Sequence, residues 1–257
     1  MSETGLALFG GLRPWDSSDW TASDDRVRGG ESQSYLECSD TVGRFHGELD
    51  IKTLGGAGFA SQRTVGEEST WNLSGLDGIM LKIAESDGKR YTFILKDDLL
   101  PRNPENGREQ STTSYEYDFE ISEKDFIGGK AKGDTSIFVP WHKLKPTYRG
   151  KVQKDAHPLN LSSVKRISIM MRSFFGDQEG PFSLSIRSIE AVKSPEFTHS
   201  KYDIEKSGPI SMEHESKWSS RITTLKQSLT PRRLCGLALA IVAICYLQAY
   251  TPHCLRR

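Results

Sequence analysis

Tyr115-Glu116-Tyr117-Asp118-Phe119-Glu120-Ile121 decides the fold. Large apolar side chains occupy every odd position and carboxylates every even one. A period of two is the repeat of a strand, whose successive side chains point to opposite faces. The same alternation recurs on both sides of this stretch. Upstream, Phe45, Gly47, Leu49 and Ile51 alternate with His46, Glu48, Asp50 and Lys52; Ile79, Leu81 and Ile83 alternate with Met80, Lys82 and Ala84; Tyr91, Phe93 and Leu95 follow. Downstream, Ile167, Ile169 and Met171 alternate with Arg166, Ser168 and Met170, and Phe182, Leu184 and Ile186 with Ser183, Ser185 and Arg187. One apolar and one polar face is the pattern of antiparallel sheets packed over a shared core. From about Phe45 to Val192 it predicts roughly eight or nine strands in an all-β sandwich or jelly roll. Phe93, Tyr117, Ile169 and Leu184 are expected to point into the core, and the alternate charged positions into solvent. Asp87-Gly88 reads as a tight hairpin turn. The polar stretch from Leu99 to Ser114 is predicted as a long loop, a length at which loops are often functional.

Composition narrows the function. Lys plus Arg number 34 and Asp plus Glu 34. The absence of a basic surplus argues against nucleic-acid binding through counterion release. Of the four cysteines, Cys38, Cys235, Cys245 and Cys254, only Cys38 falls in the strand-rich part, so an internal disulfide there is excluded and a reducing compartment fits. His46, His142, His157, His199, His214 and His253 show no metal-ligand spacing. Gly55-Gly56-Ala57-Gly58 lacks the following helix that a dinucleotide loop needs, and reads as a bend between strands. There is no glycine-flanked serine elbow. The expectation is a binding protein without catalytic residues, cofactor or metal.

Candidate recognition segments are few. Ser23 to Ser34 (SDDRVRGGESQS) is the most unusual polar run, and Asp24, Asp25, Arg26 and Arg28 are candidate partner-binding residues within it. Trp15 and Trp20 are expected to pack this segment onto the sheets. The loop Phe174-Phe175-Gly176-Asp177-Gln178-Glu179-Gly180 is the second candidate. Adjacent side chains on a strand face opposite ways, so at least one of the two aromatics should be presented outward. Arg172, Phe174, Phe175 and Asp177 are assigned there, and Trp141 is added as a candidate aromatic contact.

The chain changes character after Val192. Residues 194–233 read as a flexible polar linker. Residues 234–250 carry no charge; seventeen residues span roughly 25 Å as a helix, the short end of a bilayer crossing. Leu234, Leu237, Leu239, Ile241, Val242, Ile244 and Leu247 would form this membrane anchor, with 251–257 as a short basic tail. Lys217, Arg221, Lys226, Arg232 and Arg233 precede it without an intervening acid, which predicts a tail anchor with the domain in the cytosol. The short, Ala-containing segment favours the mitochondrial outer membrane over the endoplasmic reticulum. The N-terminal stretch, with Glu3 and the single Arg13, is not expected to be a targeting peptide.

Six blocks in order carry a family resemblance: Ser23 to Ser34, Thr53 to Thr64 (TLGGAGFASQRT), Lys89 to Lys96 (KRYTFILK), Arg108 to Phe119 (REQSTTSYEYDF), Lys145 to Lys151 (KPTYRGK) and Ile169 to Gly180 (IMMRSFFGDQEG). Over roughly Leu8 to Val192 the chain resembles the complex I intermediate-associated protein 30 family. The resemblance implies a galactose-binding-like jelly roll over residues 1–193. It also implies a role in assembling mitochondrial respiratory complex I through contacts with complex I subunits or assembly factors, without turnover. It brings no catalytic residues, and the tail after Leu234 is not part of the family pattern. The alternative reading is a carbohydrate- or ligand-binding jelly-roll module at a membrane surface, with Trp15, Trp20, Trp141, Phe174 and Phe175 available to stack on a sugar ring.

Overall fold

The computed structural model describes residues 5–66, 68–121, 126–127, 130–131 and 135–194. The segments expected to form the polar linker, the membrane helix with its anchor residues and the basic tail lie, from residue 195 on, outside the described residues. No helix among the described residues is long and apolar enough to cross a membrane.

Among the described residues, fifteen strands follow in order: β1 Gly5–Gly10, β2 Trp20–Ala22, β3 Gln33–Cys38, β4 Gly43–Leu49, β5 Phe59–Thr64, β6 Gly78–Ser86, β7 Arg90–Lys96, β8 Ser114–Glu120, β9 Phe126–Ile127, β10 Lys130–Ala131, β11 Thr135–Pro140, β12 Lys145–Tyr148, β13 Lys151–Val152, β14 Arg166–Arg172 and β15 Gly180–Val192. The first large sheet has the order β11-β6-β15-β4-β3, with β1 also paired to β15; the second runs β13-β12-β8-β7-β14-β5-β2, and β9 and β10 pair as a separate two-stranded ribbon. The pairings are antiparallel throughout. The chain is thus an all-β sandwich of two antiparallel sheets, as the alternating pattern predicts.

The core lies where the apolar phases meet. Phe45, Leu81, Ile83, Tyr91, Phe93, Leu95, Ile167, Ile169, Met171 and Leu184 are all buried between the sheets. Tyr117 keeps the same phase but is only half-buried, packed on the margin of the core. Trp15 and Trp20 plug one end with Phe9, whose ring centroid lies 6.0 Å from Trp15 and 4.7 Å from Trp20. The buried Trp15 indole satisfies its N–H on the Arg187 carbonyl at 3.0 Å.

Asp87-Gly88 is not a hairpin. β6 pairs with β11 and β15, whereas β7 pairs with β8 and β14, so this turn carries the chain from one sheet to the other. Its carboxylate explains why so short a link can cross. Asp87 accepts hydrogen bonds from the Tyr91 hydroxyl at 2.9 Å and from the Ser183 amide at 2.9 Å, which ties the start of β7 to β15.

The Ser23–Ser34 run closes the opposite edge. β2 ends at Ala22 and so leaves the outer amides of Phe59 and Ser61 on β5 without a neighbouring strand. Asp24 and Asp25 supply the missing acceptors. Asp24 accepts from the Ser61 amide at 2.8 Å and, across the sandwich on β3, from the Ser34 hydroxyl at 2.6 Å and amide at 3.1 Å. Asp25 accepts from the Phe59 amide at 3.0 Å and from the Ser32 hydroxyl at 2.7 Å and amide at 3.1 Å. Gly30 lies against this carboxylate: a Cβ there would stand 2.3 Å from Asp25 Oδ1, so no side chain fits without movement.

Two substitutions separate packing from this clamp. Ile169→Ala removes buried methylene groups and is expected to cost about 2–5 kcal/mol. Asp25→Ala leaves the Ser32 and Phe59 amides without their acceptor, while the Ser32 hydroxyl keeps the Asp50 carbonyl, and is expected to cost about 2 kcal/mol or more, since each unmatched buried donor costs ~1–3 kcal/mol. Urea midpoints measure both. An unchanged midpoint in Asp25→Ala would mean that the two sheets are held at this edge by something else.

Candidate functional site

The outer face of the second sheet carries the chemistry. Facing away from the core, the register sets Arg63 opposite Ser168, Arg166 opposite Lys96, and Ile94 opposite Glu116. In solvent this face would be a bare polar surface. Instead the β7–β8 loop, residues 97–113, forms a wall along it and leaves a cleft of about 700 Å³. The loop is braced by its own bonds: the Gln110 amide donates to the Pro101 carbonyl at 2.8 Å, and the Asn103 amide to the Arg108 carbonyl at 2.8 Å.

Charges on the cleft floor are mutually matched. Glu109, from the loop, meets Arg63 at 2.9 Å and Arg166 at 3.2 Å. Arg166, almost fully buried, also donates to the Thr64 carbonyl. Arg172 forks between Glu116, at 2.7 Å, and Asp118. Those carboxylates are held in turn by the Thr147 hydroxyl, 2.6 Å from Glu116, and the Thr92 hydroxyl, 2.7 Å from Asp118. Three further cations line the cleft without an ion pair among the described residues. Arg28 lies over the Phe59 ring, 5.4 Å from its centroid. Arg149 donates to the Ser111 hydroxyl at 3.3 Å. Lys96, half-buried, gives one hydrogen bond to the Thr112 hydroxyl at 3.1 Å, and burial pulls its ammonium below the usual lysine value.

At one rim stands the Phe174-Phe175 loop. Gln178 latches it: its side-chain amide donates to the carbonyls of Arg90 (2.8 Å) and Arg172 (2.7 Å) and accepts from the Arg90 amide at 3.1 Å. Phe174 is held between Arg90 and Arg172, with guanidinium carbons 4.4 and 4.7 Å from its ring centroid. Phe175 is fully exposed at 100%. Both phenylalanines adopt left-handed backbone, with φ of 46° and 65°. Such strain costs of order 1–3 kcal/mol per residue and persists only where neighbouring contacts enforce it.

The sequence-predicted residues divide accordingly. Arg28, Arg172, Phe174 and Phe175 come together around the cleft. Asp24 and Asp25 do not reach it; their carboxylates are buried and spent on the two strands, and burial raises Asp24 above the ordinary carboxylate value. Arg26 and Asp177 are exposed but do not line the cleft. Trp141, half-buried, packs on the core with its indole N–H on the Leu76 carbonyl at 2.6 Å and does not line the cleft. Arg63, Lys96, Glu109, Glu116, Arg149 and Arg166 are cleft residues that the sequence reading passes over. For Arg63, Lys96, Glu116 and Arg166 the signal was present as charges on the polar phase of their strands; Glu109 and Arg149 lie in loops, where no such pattern operates.

The chain is thus an all-β sandwich with an elaborated polar cleft on the outer face of one sheet. The chain is a member of the Complex I intermediate-associated protein 30 (CIA30) family, whose model matches residues 9–186. It is 44% identical over 207 residues to an uncharacterized protein of Schizosaccharomyces pombe, covering 78% of this chain and 90% of that protein. Among solved structures it resembles the family 11 carbohydrate-binding module of the Clostridium thermocellum cellulosomal cellulase Lic26A-Cel5E, with a TM-score of 0.45, 12% identity and coverage of 73% of this chain and 94% of the module. The agarase AgWH50C is matched with a TM-score of 0.40 and 12% identity, over 75% of this chain and 25% of the agarase.

Lys96 provides a pH-resolved test of the cleft. A lysine whose folded value is lowered disfavours folding in full where both states hold the proton, and the penalty is relieved once the folded chain gives its proton up while the unfolded one still holds it. Its stability penalty is therefore present at neutral pH and shrinks as pH rises through the folded value toward 10.5. Lys96→Met is expected to be more stable than the parent at pH 7, with the gap closing near pH 10. A constant gap across that range would show that the ammonium is freely solvated.

Proposed function

We propose that this protein is a non-catalytic binding module, a galactose-binding-like jelly roll over residues 1–193, that acts in the assembly of respiratory complex I. Family membership supports the pathway, and the cleft supports the mode of action. The single observation that carries the mode is the pre-ordered rim: a strained, latched loop presents a fully exposed Phe175 beside a cleft whose floor is already charge-matched. Rigid exposed aromatics lose little entropy on contact, which suits an interface anchor. The partners are complex I subunits or assembly factors. Mitochondria are the site of action. The uncharged stretch 234–250 serves as the membrane anchor, a reading that rests on its composition and basic flank.

Loss of the chain should lower fully assembled complex I and leave other respiratory complexes at normal levels on native gels. Re-expression of the parent chain should restore it, and Phe175→Ala should restore it only in part. Normal complex I in cells lacking the chain would sink the assembly reading. For the anchor, the full chain should remain in the membrane pellet after alkaline carbonate washing, while a chain ending at Arg233 is released; equal release of both forms would remove it.

A further inference from the structure

The cleft's charge identifies what it takes. The ion-paired floor is neutral: three arginines, Arg63, Arg166 and Arg172, face three carboxylates, Glu109, Glu116 and Asp118. What remains is positive. Arg28, Lys96 and Arg149 line the same cleft outside any ion pair among the described residues; Lys96 feels Glu109 and Glu116 only at longer range, and both already hold arginines. Lys96 has three donor protons, one of them given to the Thr112 hydroxyl, in a half-buried site. An ammonium so placed gains more from an incoming anion than a solvated one does, because the intervening dielectric is lower. The surplus is local, since the whole chain has equal numbers of basic and acidic residues.

Shape narrows the class further. β5, β14, β7 and β8 lie side by side under the cleft and the turn after β12 borders it, so that from β5 to β12 the usual strand spacing gives a width of roughly 20 Å. An extended peptide rises about 3.3 Å per residue, so about six residues cross that width. Glu109, Glu116 and Asp118 interrupt the positive surface, an arrangement unfavourable to a continuous phosphate backbone but compatible with spaced side-chain carboxylates. Phe175 stands beyond the charged floor, where a small anion would have no use for it. Building on the assembly reading above, we infer that the cleft between the β7–β8 loop and the outer face of the second sheet binds an extended acidic segment of a protein partner. Spaced Asp or Glu side chains meet Arg28, Lys96 and Arg149, and an apolar neighbour of that segment meets Phe175.

Fluorescence anisotropy with the full chain tests this. The probe is a fluorescein-labelled peptide of about ten residues alternating Glu with Ser, beside its Gln-for-Glu and Lys-for-Glu analogues. The Glu peptide should bind at least about tenfold more tightly than the Gln peptide, with affinity falling as salt rises. The double variant Arg28→Glu, Arg149→Asp should lose that preference with an unchanged thermal midpoint; Asp is chosen because it tolerates the left-handed backbone at Arg149, φ 51°. Lys96→Met should weaken the Glu peptide about as much as removal of one charge contact, independently of the rim. Equal affinity for Glu and Gln peptides, or an unaltered preference in the folded double variant, overturns the assignment. So does tighter binding of a labelled oligouridylate than of the Glu peptide. The two readings fail separately. Normal complex I in cells lacking the chain, with the peptide preference intact, refutes the assembly role alone. Lowered complex I with no peptide preference refutes the acidic ligand alone.

Discussion

Asp24 and Asp25 stitch the two sheets together at the edge where the second sheet runs out of strand. Their carboxylates accept from β5 on one side and from Ser34 and Ser32, in and just before β3, on the other. A buried carboxylate is costly unless its oxygens are matched, and here each is matched by short bonds from backbone and serine donors. The consequence reaches the cleft. Phe59, Ser61 and Arg63 all sit on β5, and Ser23 and Arg28 flank the aspartates, so one wall of the cleft is placed by this clamp.

A second constraint acts across the sheet. A strand has two faces, and the core claims one of them. The side chains left over on β5, β14, β7 and β8 include three arginines, a lysine and two carboxylates, each on the phase of its strand that faces away from the core. Exposed to water, such ion pairs contribute little. Once the β7–β8 loop lies over them, they are partly withdrawn from solvent, and pairing becomes a requirement. Glu109 meets it from the loop itself: by holding both Arg63 and Arg166 it fixes the wall to the floor. The cleft is therefore pre-formed by the same contacts that make burial of its charges tolerable, and a ligand finds it already ordered.

Much of the sandwich was legible because period two is a strong local signal. Phe93, Ile169 and Leu184 are buried where the alternation places them. Family membership was legible in blocks such as Ser23 to Ser34. Two errors share one cause, the absence of nonlocal information in a local pattern. Asp87-Gly88 has hairpin chemistry, yet it crosses between sheets because Asp87 bonds to Ser183 on β15. Glu116, on a polar phase, reads as solvated, yet it is buried where Thr147 from β12 and Arg172 from β14 converge on it. Asp24 and Asp25 show the converse. They look like recognition residues until their partners are known, and the alternating Ser32 and Ser34 were the only hint that the carboxylates turn inward. Phe175 was legible in part: two adjacent aromatics cannot both face the core, but nothing local says that the loop carrying them flanks a cleft.

The central claim is that the cleft face, rather than the outer face of the opposite sheet, meets the complex I assembly machinery. Site-specific photocrosslinking in intact cells tests it directly. A photoreactive phenylalanine analogue is placed at Phe175 or, on the other sheet, at the exposed Tyr35. The account predicts adducts to complex I subunits or assembly factors from position 175 and none from position 35. Adducts from position 35 alone, or equal yields from both, would contradict it.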